Sequence, residues 1–339
     1  MRHADGKVKT KITIGITTFN DYSLVDSLLE SIFYFTDNVG SDDIGIVIND
    51  DGSKIQFKTE LYKVIEKYQA RKNHVYLIDN YVNQGITKAW NNLSNFFDSE
   101  YIILLNNDIM VTRYWLKSMI YFLENNRCCS ASLPCWYVRD DIFKNITPKF
   151  MDRWIVQIVD PITKEVLRNQ PVHYVEVNEN RPGRVMCPAG MLFGFTKEMY
   201  NLIGGFDEST RQFYNESQFG TDGARMGYSS YALPFPHCYH IWSYTFKNNK
   251  EELQPSKQMQ LDREAYIKKF NGDIRKEDPN NPHPRYMPHI LPNELKWLSH
   301  NVEETFFSKD DRIHSKKFAT FKENTYQETP EDVASAGRV

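Results

Sequence analysis

The sequence has no apolar run that approaches the ~20 residues of a membrane-spanning helix, so we expect no stable membrane span. It opens on the polar and basic residues MRHADGKVKTK, which do not resemble a secretory signal. Its formal net charge is −3, so no global positive field attracts nucleic acid or anionic lipid. These absences favour a cytoplasmic protein, and peripheral contact with a membrane is compatible with them.

Paired cysteine and histidine spacings of the zinc type are also missing. The sequence has five cysteines: Cys128, Cys129, Cys135, Cys187 and Cys238. An odd number in a chain of this length favours reduced thiols over a disulfide framework. Cys238 lies close to His240, but no second pair accompanies them, so we do not expect zinc.

The chain lacks the phosphate-binding motifs G-x-G-x-x-G and G-x-x-x-x-G-K-[ST]. This absence argues against a dinucleotide fold of the dehydrogenase type and against a P-loop. It also argues against nucleotidyl transfer, which would need a glycine-rich phosphate loop where the chain has TTFNDYS.

What the first part of the chain does have is a regular alternation of buried strands and amphipathic helices. Hydrophobic residues make up 41% of the 339 residues, which is ample for a buried core. The predicted strands cover 12–19, 43–50, 74–79 and 100–105, and the predicted helices cover 21–36, 57–71, 83–97 and 113–125. This order predicts an α/β fold in which helices cover both faces of a parallel sheet.

Polar residues stand where three of these predicted strands end. They are Thr17, Asp50, Asp51 and the triplet Asn106-Asn107-Asp108. Ligands of open α/β sheets bind beyond the carboxyl ends of the strands. The sequence therefore predicts a binding site at this edge of the sheet.

The triplet, in ILLNNDIMV, has two interpretations. Asn and Asp side chains bond their own backbone, so it could be a simple turn. Asp108 could instead hold Mg²⁺ or Mn²⁺, ions that share their coordination with substrate phosphates. One carboxylate binds such an ion weakly, so this interpretation requires a second ligand elsewhere.

The segment NDDGS is likewise either a turn or a nucleoside site. Asp50 and Asp51 would repel each other unless a donor pairs with them. A pyrimidine N3–H and the ribose hydroxyls are suitable donors for carboxylate acceptors.

Two later segments supply candidates for catalysis. NESQFGTDGARMGY contains Glu216 and Asp222, which are candidate general bases and could equally be solvated surface acids. Its three glycines predict a poor helix and suggest a close backbone approach. HCYHIWSY places His240 among aromatic residues that could form a sugar-stacking wall, although a histidine satisfied within the core is the plainer interpretation.

Taken in order, TTFN, NDDGS, N-x-G-x-x-x-A-x-N, NND, GGFDE, then an acid, GY and a histidine resemble a family-2 glycosyltransferase of the GT-A fold over about residues 10–245. The resemblance implies a single Rossmann-like mixed sheet flanked by helices. It implies a GT-A domain at 1–245, with a nucleotide-sugar-binding half (10–126) and an acceptor or catalytic half (127–245). Residues 246–339 would form a C-terminal extension, partly proline-rich, with a polar tail that we expect to be mobile.

The resemblance also implies roles for individual residues. It assigns the nucleotide side to Thr17, Asn20, Asp50, Asp51, Asn83, Gly85, Lys88, Asn106 and Asn107. Asp108 matches the metal ligand of the family, and we expect Gly190 and Trp242 on the sugar or acceptor side. Lys88 could add charge near the phosphates or be an ordinary solvated helix residue.

Bacterial cell-wall galactofuranosyltransferases resemble the chain in more detail, and the N-N-D form also occurs in rhamnosyltransferase-like members. In the galactofuranosyltransferases the base precedes the glycine of GY by eleven residues, and a metal-binding histidine follows the base by twenty-four. Glu216 precedes Gly227 by eleven residues, and His240 follows Glu216 by twenty-four. The chain departs from the usual pattern at Asn106, which replaces an aspartate, and at Ser217, which interrupts an acidic pair.

The function implied is a metal-dependent inverting transfer of a hexosyl or pentosyl group from a UDP- or dTDP-sugar to a hydroxyl of a glycan or glycoconjugate. Mn²⁺ or Mg²⁺ would be the cofactor, and Glu216 the base, with Asp222 as the second choice. Two alternatives stay open: the same chemistry on a hydroxymethylated DNA base, and a GT-A domain that binds glycan or nucleotide without catalysis. The donor sugar, the acceptor and the oligomeric state are not readable from the sequence.

Overall fold

The computed structural model describes residues 8–36, 43–71, 74–137, 168–169, 182–185, 187–233, 236, 238–241 and 244–270. Most of the segment 130–190, the proline-rich stretch and the polar tail lie outside this description. So does Trp242, which we expected on the sugar or acceptor side.

The first half of the chain confirms the predicted alternation of strands and helices. Its elements are β1 (Ile12–Thr18), α1 (Ser23–Phe35), β2 (Ile44–Asp50), α2 (Ile55–Gln69), β3 (Val75–Asp79), α3 (Ile86–Phe96), β4 (Tyr101–Asn106) and α4 (Trp115–Asn125). The four strands are parallel and lie in the order β3-β2-β1-β4. Every residue of β1 and β2 is buried, as expected of strands covered on both faces.

Short strands complete the architecture. They are β5 (Ile109–Met110), β6 (Ser130–Ser132), β7 (Cys135–Tyr137), β8 (Arg168–Asn169), β9 (Gly183–Val185), β10 (Leu192–Thr196), β11 (Ser230–Ala232) and β12 (Cys238–His240). β10 pairs antiparallel with β4 and extends the main sheet to the order β3-β2-β1-β4-β10-β6-β11-β9. The central sheet is therefore mixed, and this confirms the GT-A architecture that the motifs implied.

A second, smaller sheet has the order β5-β12-β7-β8. Its strand β5 begins directly after the Asn106-Asn107-Asp108 turn, and β12 carries His240. The pairing is antiparallel, with His240 opposite Ile109. The small sheet thus brings a distant part of the chain to the end of β4.

The second half contains two helices around the GGFDE segment, α5 (Lys197–Ile203) and α6 (Asn215–Arg225). The glycines in the α6 segment predicted a poor helix, so this helix overrides its local propensity. A Cβ atom on Gly223 would lie 2.4 Å from Sγ of Cys129, so the glycine allows α6 to pack closely on the sheet. The expected close backbone approach is present, but within a helix.

The described chain ends in a C-terminal arm of three helices: α7 (Tyr244–Asn248), α8 (Lys250–Leu253) and α9 (Pro255–Phe270). The Tyr266 ring lies 5.2 Å from that of Tyr214, and its hydroxyl lies 3.1 Å from Oγ1 of Thr221. The arm therefore packs on the region around α6. No helix among the described residues is long and apolar enough to cross a membrane.

Candidate active site

The carboxyl ends of β1, β2 and β4 bring the predicted polar residues to one edge of the sheet. Thr17 is in register with Asn106 of β4, and Thr18 is in register with Asp50 of β2. Nδ2 of Asn107 donates to Oγ1 of Thr18 over 3.2 Å. The shared edge inferred from the sequence is therefore present.

Asp108 and His240 meet at the same edge. Nε2 of His240 lies 3.3 Å from Oδ1 of Asp108, and both side chains are about 6% exposed. The contact is fixed by the pairing of β5 with β12 and by the Ile241 amide, which donates to the carbonyl of Asp108 over 3.0 Å. One carboxylate and one imidazole thus converge although they lie far apart in the sequence.

Two oxygens at this site, one of them the Asp108 oxygen that faces His240, suit a divalent cation. Within the described residues, Oδ1 of Asp108 and Oδ1 of Asn106 are buried and accept no hydrogen bond. Buried polar atoms normally have a partner, and a hard cation would supply one. The same part of the chain contains no cluster of three or more His, Cys, Asp or Glu side chains that could hold a metal. Asp108, His240 and Asn106 could therefore supply only part of a coordination sphere, and a bound diphosphate would have to complete it.

The two carboxylates of NDDGS bond within the protein. Asp50 is fully buried; it accepts from the Ser53 hydroxyl and lies 3.3 Å from Nζ of Lys58. Burial raises the pKa of Asp50, and Ser53 and Lys58 oppose that shift. Asp51 accepts from the backbone amides of Gln84 and Gly85, each over 2.8 Å, and burial raises its pKa as well. Both carboxylates therefore shape the loops of this edge, which agrees with the turn interpretation.

Asn20 connects this edge to the C-terminal arm. Its φ is 53°, and its Nδ2 donates to Oδ1 of Asn249 and to Oε2 of Glu252. Its Oδ1 accepts from the amide of Lys54, whose side chain in turn pairs with Glu252. The arm therefore lies against the predicted nucleoside side of the site.

The N-x-G-x-x-x-A-x-N stretch joins α3 to the loop before α6. Oδ1 of Asn83 and its carbonyl both accept from Arg211, over 2.7 and 2.6 Å. Asn91 accepts from the Phe206 amide and donates to the Phe206 carbonyl, both over 2.9 Å. Lys88 lies 3.0 Å from the half-exposed Glu208, as expected of a solvated helix residue.

A cleft of about 430 Å³ lies between the strand ends and the arm. Its lining includes Phe19, Gly52 and Asn83 from the loops that follow β1, β2 and β3, and Arg211 and Glu252 from later in the chain. The cleft is therefore bordered by residues that the sequence placed on the nucleotide side and by residues that it did not.

Glu216 lies in the first turn of α6 and is half-buried. A Cβ atom on Gly190 would lie 3.3 Å from Cδ of Glu216, so these two predicted residues are in contact. The next residue, Met191, accepts a hydrogen bond from the Asn106 amide over 2.9 Å. Glu216 is thus linked to the NND turn through one short segment, and the start of the helix favours a negative charge there.

Asp222 lies elsewhere on the same helix. Six residues after Glu216, it is turned by about 240° around the axis. Its Oδ2 lies 2.6 Å from Nζ of Lys269, which also contacts Asp207 over 2.9 Å. The structure therefore does not bring Asp222 together with Glu216, and places it in an ion pair that anchors the arm.

Ser217 occupies the position where the resemblance led us to expect a second acid. It is buried, and its hydroxyl lies 3.8 Å from Sγ of Cys187. An aspartate there would be buried beside a thiol. The position that Glu216 occupies is the more exposed of the two.

Sequence reasoning did not identify Arg211 or Asp262. Arg211 borders the cleft, and Asp262 in α9 accepts the amide of Arg211 over 2.9 Å. Neither belongs to one of the quoted motifs, and Asp262 lies in what was predicted as an extension. An arginine between GGFDE and the predicted base was the one available signal.

Comparison with known proteins identifies a family and a fold. The family model for glycosyl transferase family 2 matches residues 13–203, more than half of the 339-residue chain. No curated protein matches the sequence.

Solved structures share the fold at low sequence identity. The mannosyltransferase PcManGT from Pyrobaculum calidifontis, in complex with GDP-Man and Mn²⁺, aligns with a TM-score of 0.53 and 16% identity over 97% of this chain and 78% of that one. S. aureus TarS 1–349 in complex with UDP-GlcNAc gives 0.52 and 12% over 90% and 78%. GalNAc-T7 with UDP, GalNAc and Mn²⁺ gives 0.51 and 15% over 71% and 44%.

Proposed function

Because the chain belongs to glycosyl transferase family 2, we propose that it transfers a sugar from a nucleoside-diphosphate donor to a hydroxyl acceptor, with inversion at the anomeric carbon. The observation that carries the proposal is the convergence of Asp108, His240 and the unbonded Asn106 oxygen at the strand ends. Such a set suits a donor that brings its own phosphate oxygens.

Asp108 and His240 would hold Mn²⁺ or Mg²⁺. Bound there, the cation would supply positive charge against the diphosphate that leaves the sugar. The two structural neighbours that contain Mn²⁺ support this assignment. Asn106 and Asn107 would contribute neutral amides that orient phosphate or ribose oxygens.

Glu216 would act as the general base. A hydroxyl is a poor nucleophile until its proton is removed, and a positioned carboxylate takes that proton as the new glycosidic bond forms. The acceptor oxygen then attacks the anomeric carbon from the face opposite the diphosphate, which inverts the configuration. The contact between Glu216 and Gly190, one residue from the partner of Asn106, supports this placement.

We propose a uridine or thymidine diphosphate sugar as the donor and a glycan or glycoconjugate as the acceptor. The neighbours bind GDP-Man, UDP-GlcNAc and UDP, so both purine and pyrimidine donors belong in any test. The rhamnosyl- or galactofuranosyl-type assignment rests on the motif spacing alone and belongs to the same proposal.

The direct test measures release of nucleoside diphosphate from a panel of UDP-, dTDP- and GDP-sugars with Mn²⁺. A glycan mixture serves as acceptor, and EDTA as the metal-free control. We expect release from one class of donor, dependent on both the metal and the acceptor. Tight nucleotide binding without release from any donor would favour the non-catalytic GT-A domain, the alternative that the departures at Asn106, Asn107 and Ser217 motivate.

A further inference from the structure

A single carboxylate in the C-terminal arm organises the loop before α6. Asp262 is 2% exposed and accepts the consecutive backbone amides of Arg211, Gln212 and Phe213 over 2.9, 2.8 and 2.8 Å. Gln258, one turn earlier in α9, donates to the same carboxylate over 2.8 Å. Burying a charged group is costly unless it is well bonded, and four donors meet that requirement.

The loop that Asp262 holds presents Arg211 to the nucleotide side of the cleft. The guanidinium donates to the carbonyl and Oδ1 of Asn83 over 2.6 and 2.7 Å. The carbonyl of Arg211 accepts from the amide of Thr87, at the start of α3, over 3.2 Å. Arg211 therefore connects the loop that precedes Glu216 to the loop that precedes α3.

The glycine of N-x-G leaves room for the Arg211 side chain. Gly85 has a φ of +94°, and a Cβ atom there would lie 2.3 Å from Cγ of Arg211. The Arg211 side chain thus occupies the space that any other residue at position 85 would need. The amide of Gly85 donates to Asp51, so the residue that Arg211 packs against is also bonded to the NDDGS turn.

We propose that Asp262 is a positioning residue that acts through Arg211. It fixes the loop before α6 so that Arg211 bonds to Asn83 and packs against Gly85, on the side of the cleft where we expect the nucleotide. The inference rests on the proposed function and extends it, because it makes the arm a working part of the donor site. Glu216 follows Phe213, the last of the three residues whose amides bond to Asp262, by three positions. The same hydrogen bonds therefore also fix the chain just before α6.

The test measures dissociation constants for UDP, dTDP and GDP with Mn²⁺ by titration calorimetry. D262N, R211A and the double variant are compared with K269Q. Lys269 bonds the same helix to Asp207 and Asp222 but touches none of the clamped amides, so K269Q reports what weakening the arm does by itself. We expect D262N and R211A each to weaken the preferred nucleotide about tenfold. The double variant should be no weaker than the worse single variant, and K269Q should stay within about twofold of wild type.

Three outcomes would overturn the proposal. Additive effects of D262N and R211A would separate the two residues, and an equal loss in K269Q would reduce Asp262 to a structural role. Arg211 is exposed, so we expect R211A to fold, and unchanged affinity in R211A refutes the proposal even if D262N does not fold. Absence of nucleotide binding in the wild type would remove the proposed function itself, a result distinct from failure of the clamp.

Discussion

Nε2 of His240 lies 3.3 Å from Oδ1 of Asp108, and strand pairing rather than sequence proximity brings the two atoms together. β5 continues directly from the NND turn, and β12 pairs with it so that His240 stands opposite Ile109. One of these side chains thus comes from the half of the chain that we predict to bind the nucleotide sugar, and the other comes from the later half. Metal binding at this pair would join the two halves at the point where the donor phosphates are expected.

The first prediction concerns this pair. D108A should abolish the increase in nucleotide affinity that Mn²⁺ produces, and H240A should reduce it, because each removes one of the two proposed ligands. Turnover should fall by about 10²–10³-fold, the scale for removing a group that stabilises transition-state charge. Calorimetric titration of UDP with Mn²⁺ and with EDTA measures the effect.

The control for this prediction is H74A. His74 precedes β3 at the opposite edge of the sheet, so its loss should leave the Mn²⁺ effect intact. An unchanged Mn²⁺ effect in D108A would refute the metal assignment.

The second prediction separates the two acids of α6. E216Q keeps the shape of the side chain but cannot accept a proton, so kcat should fall by about 10²–10⁴-fold while donor affinity is retained. D222N should keep turnover and lose stability, since Asp222 is paired with Lys269. Steady-state kinetics and thermal unfolding distinguish the two. The assignment reverses if D222N is the inactive variant and E216Q turns over normally.

The first half of the fold was predictable because its signal is local. β1 to β4 are short apolar runs, and α1 to α4 alternate with them at helical periodicity, so each element is determined by neighbouring residues. α6 was harder, since its glycines lower helix propensity, and the reason for Gly223 is its packing against Cys129. Local propensity cannot report a contact with a distant strand.

The site was predictable in its members more than in their bonding. NDDGS was either a turn or a nucleoside site, and in the structure the two oxygens of Asp51 accept the amides of Gln84 and Gly85. The sequence cannot say whether a carboxylate faces backbone amides or a substrate. Asp262 carried no motif at all, because its partners are backbone amides, which leave no trace in the side chains of residues 211–213.

The third prediction follows from the ion pairs of Lys269. Burial raises the pKa of Asp207, but the hydrogen bonds that it accepts from Lys269 and from the amide and hydroxyl of Ser209 outweigh that effect. The pKa of Asp207 therefore lies below its usual 3.8. A lowered carboxyl pKa gives stability that is present above 3.8 and is lost as the pH falls through the folded-state pKa. K269Q should therefore lower the free energy of unfolding by about 1 kcal/mol at neutral pH, a modest value because the pair is partly solvated.

Urea unfolding of the wild type and K269Q from pH 7 to pH 3 provides the measurement. The difference between them should shrink below about pH 4 as Asp207 takes up a proton in both proteins. A difference that stays constant across this range would show that Lys269 stabilises the arm through packing rather than through charge.

The fourth prediction compares two glycines with similar backbones. Gly85 and Gly204 have φ values of +94° and +89°, so alanine is strained at both positions. A Cβ atom on Gly204 meets nothing within 4 Å, whereas one on Gly85 would lie 2.3 Å from Cγ and 2.8 Å from the carbonyl of Arg211. G204A should cost about 1 kcal/mol of unfolding free energy, the strain alone.

G85A must also displace Arg211 from Asn83, so we expect it to cost about 2–4 kcal/mol and to weaken nucleotide binding, which G204A should leave unchanged. Chemical unfolding measures the first quantity, and titration with UDP and Mn²⁺ the second. Equal costs in the two variants would mean that Arg211 gives way freely when a methyl group enters its space. In that event the contacts of Arg211 with Asn83 and Gly85 would be too weak to position these residues beside the cleft. Glycine would then be required at position 85 only for its backbone conformation.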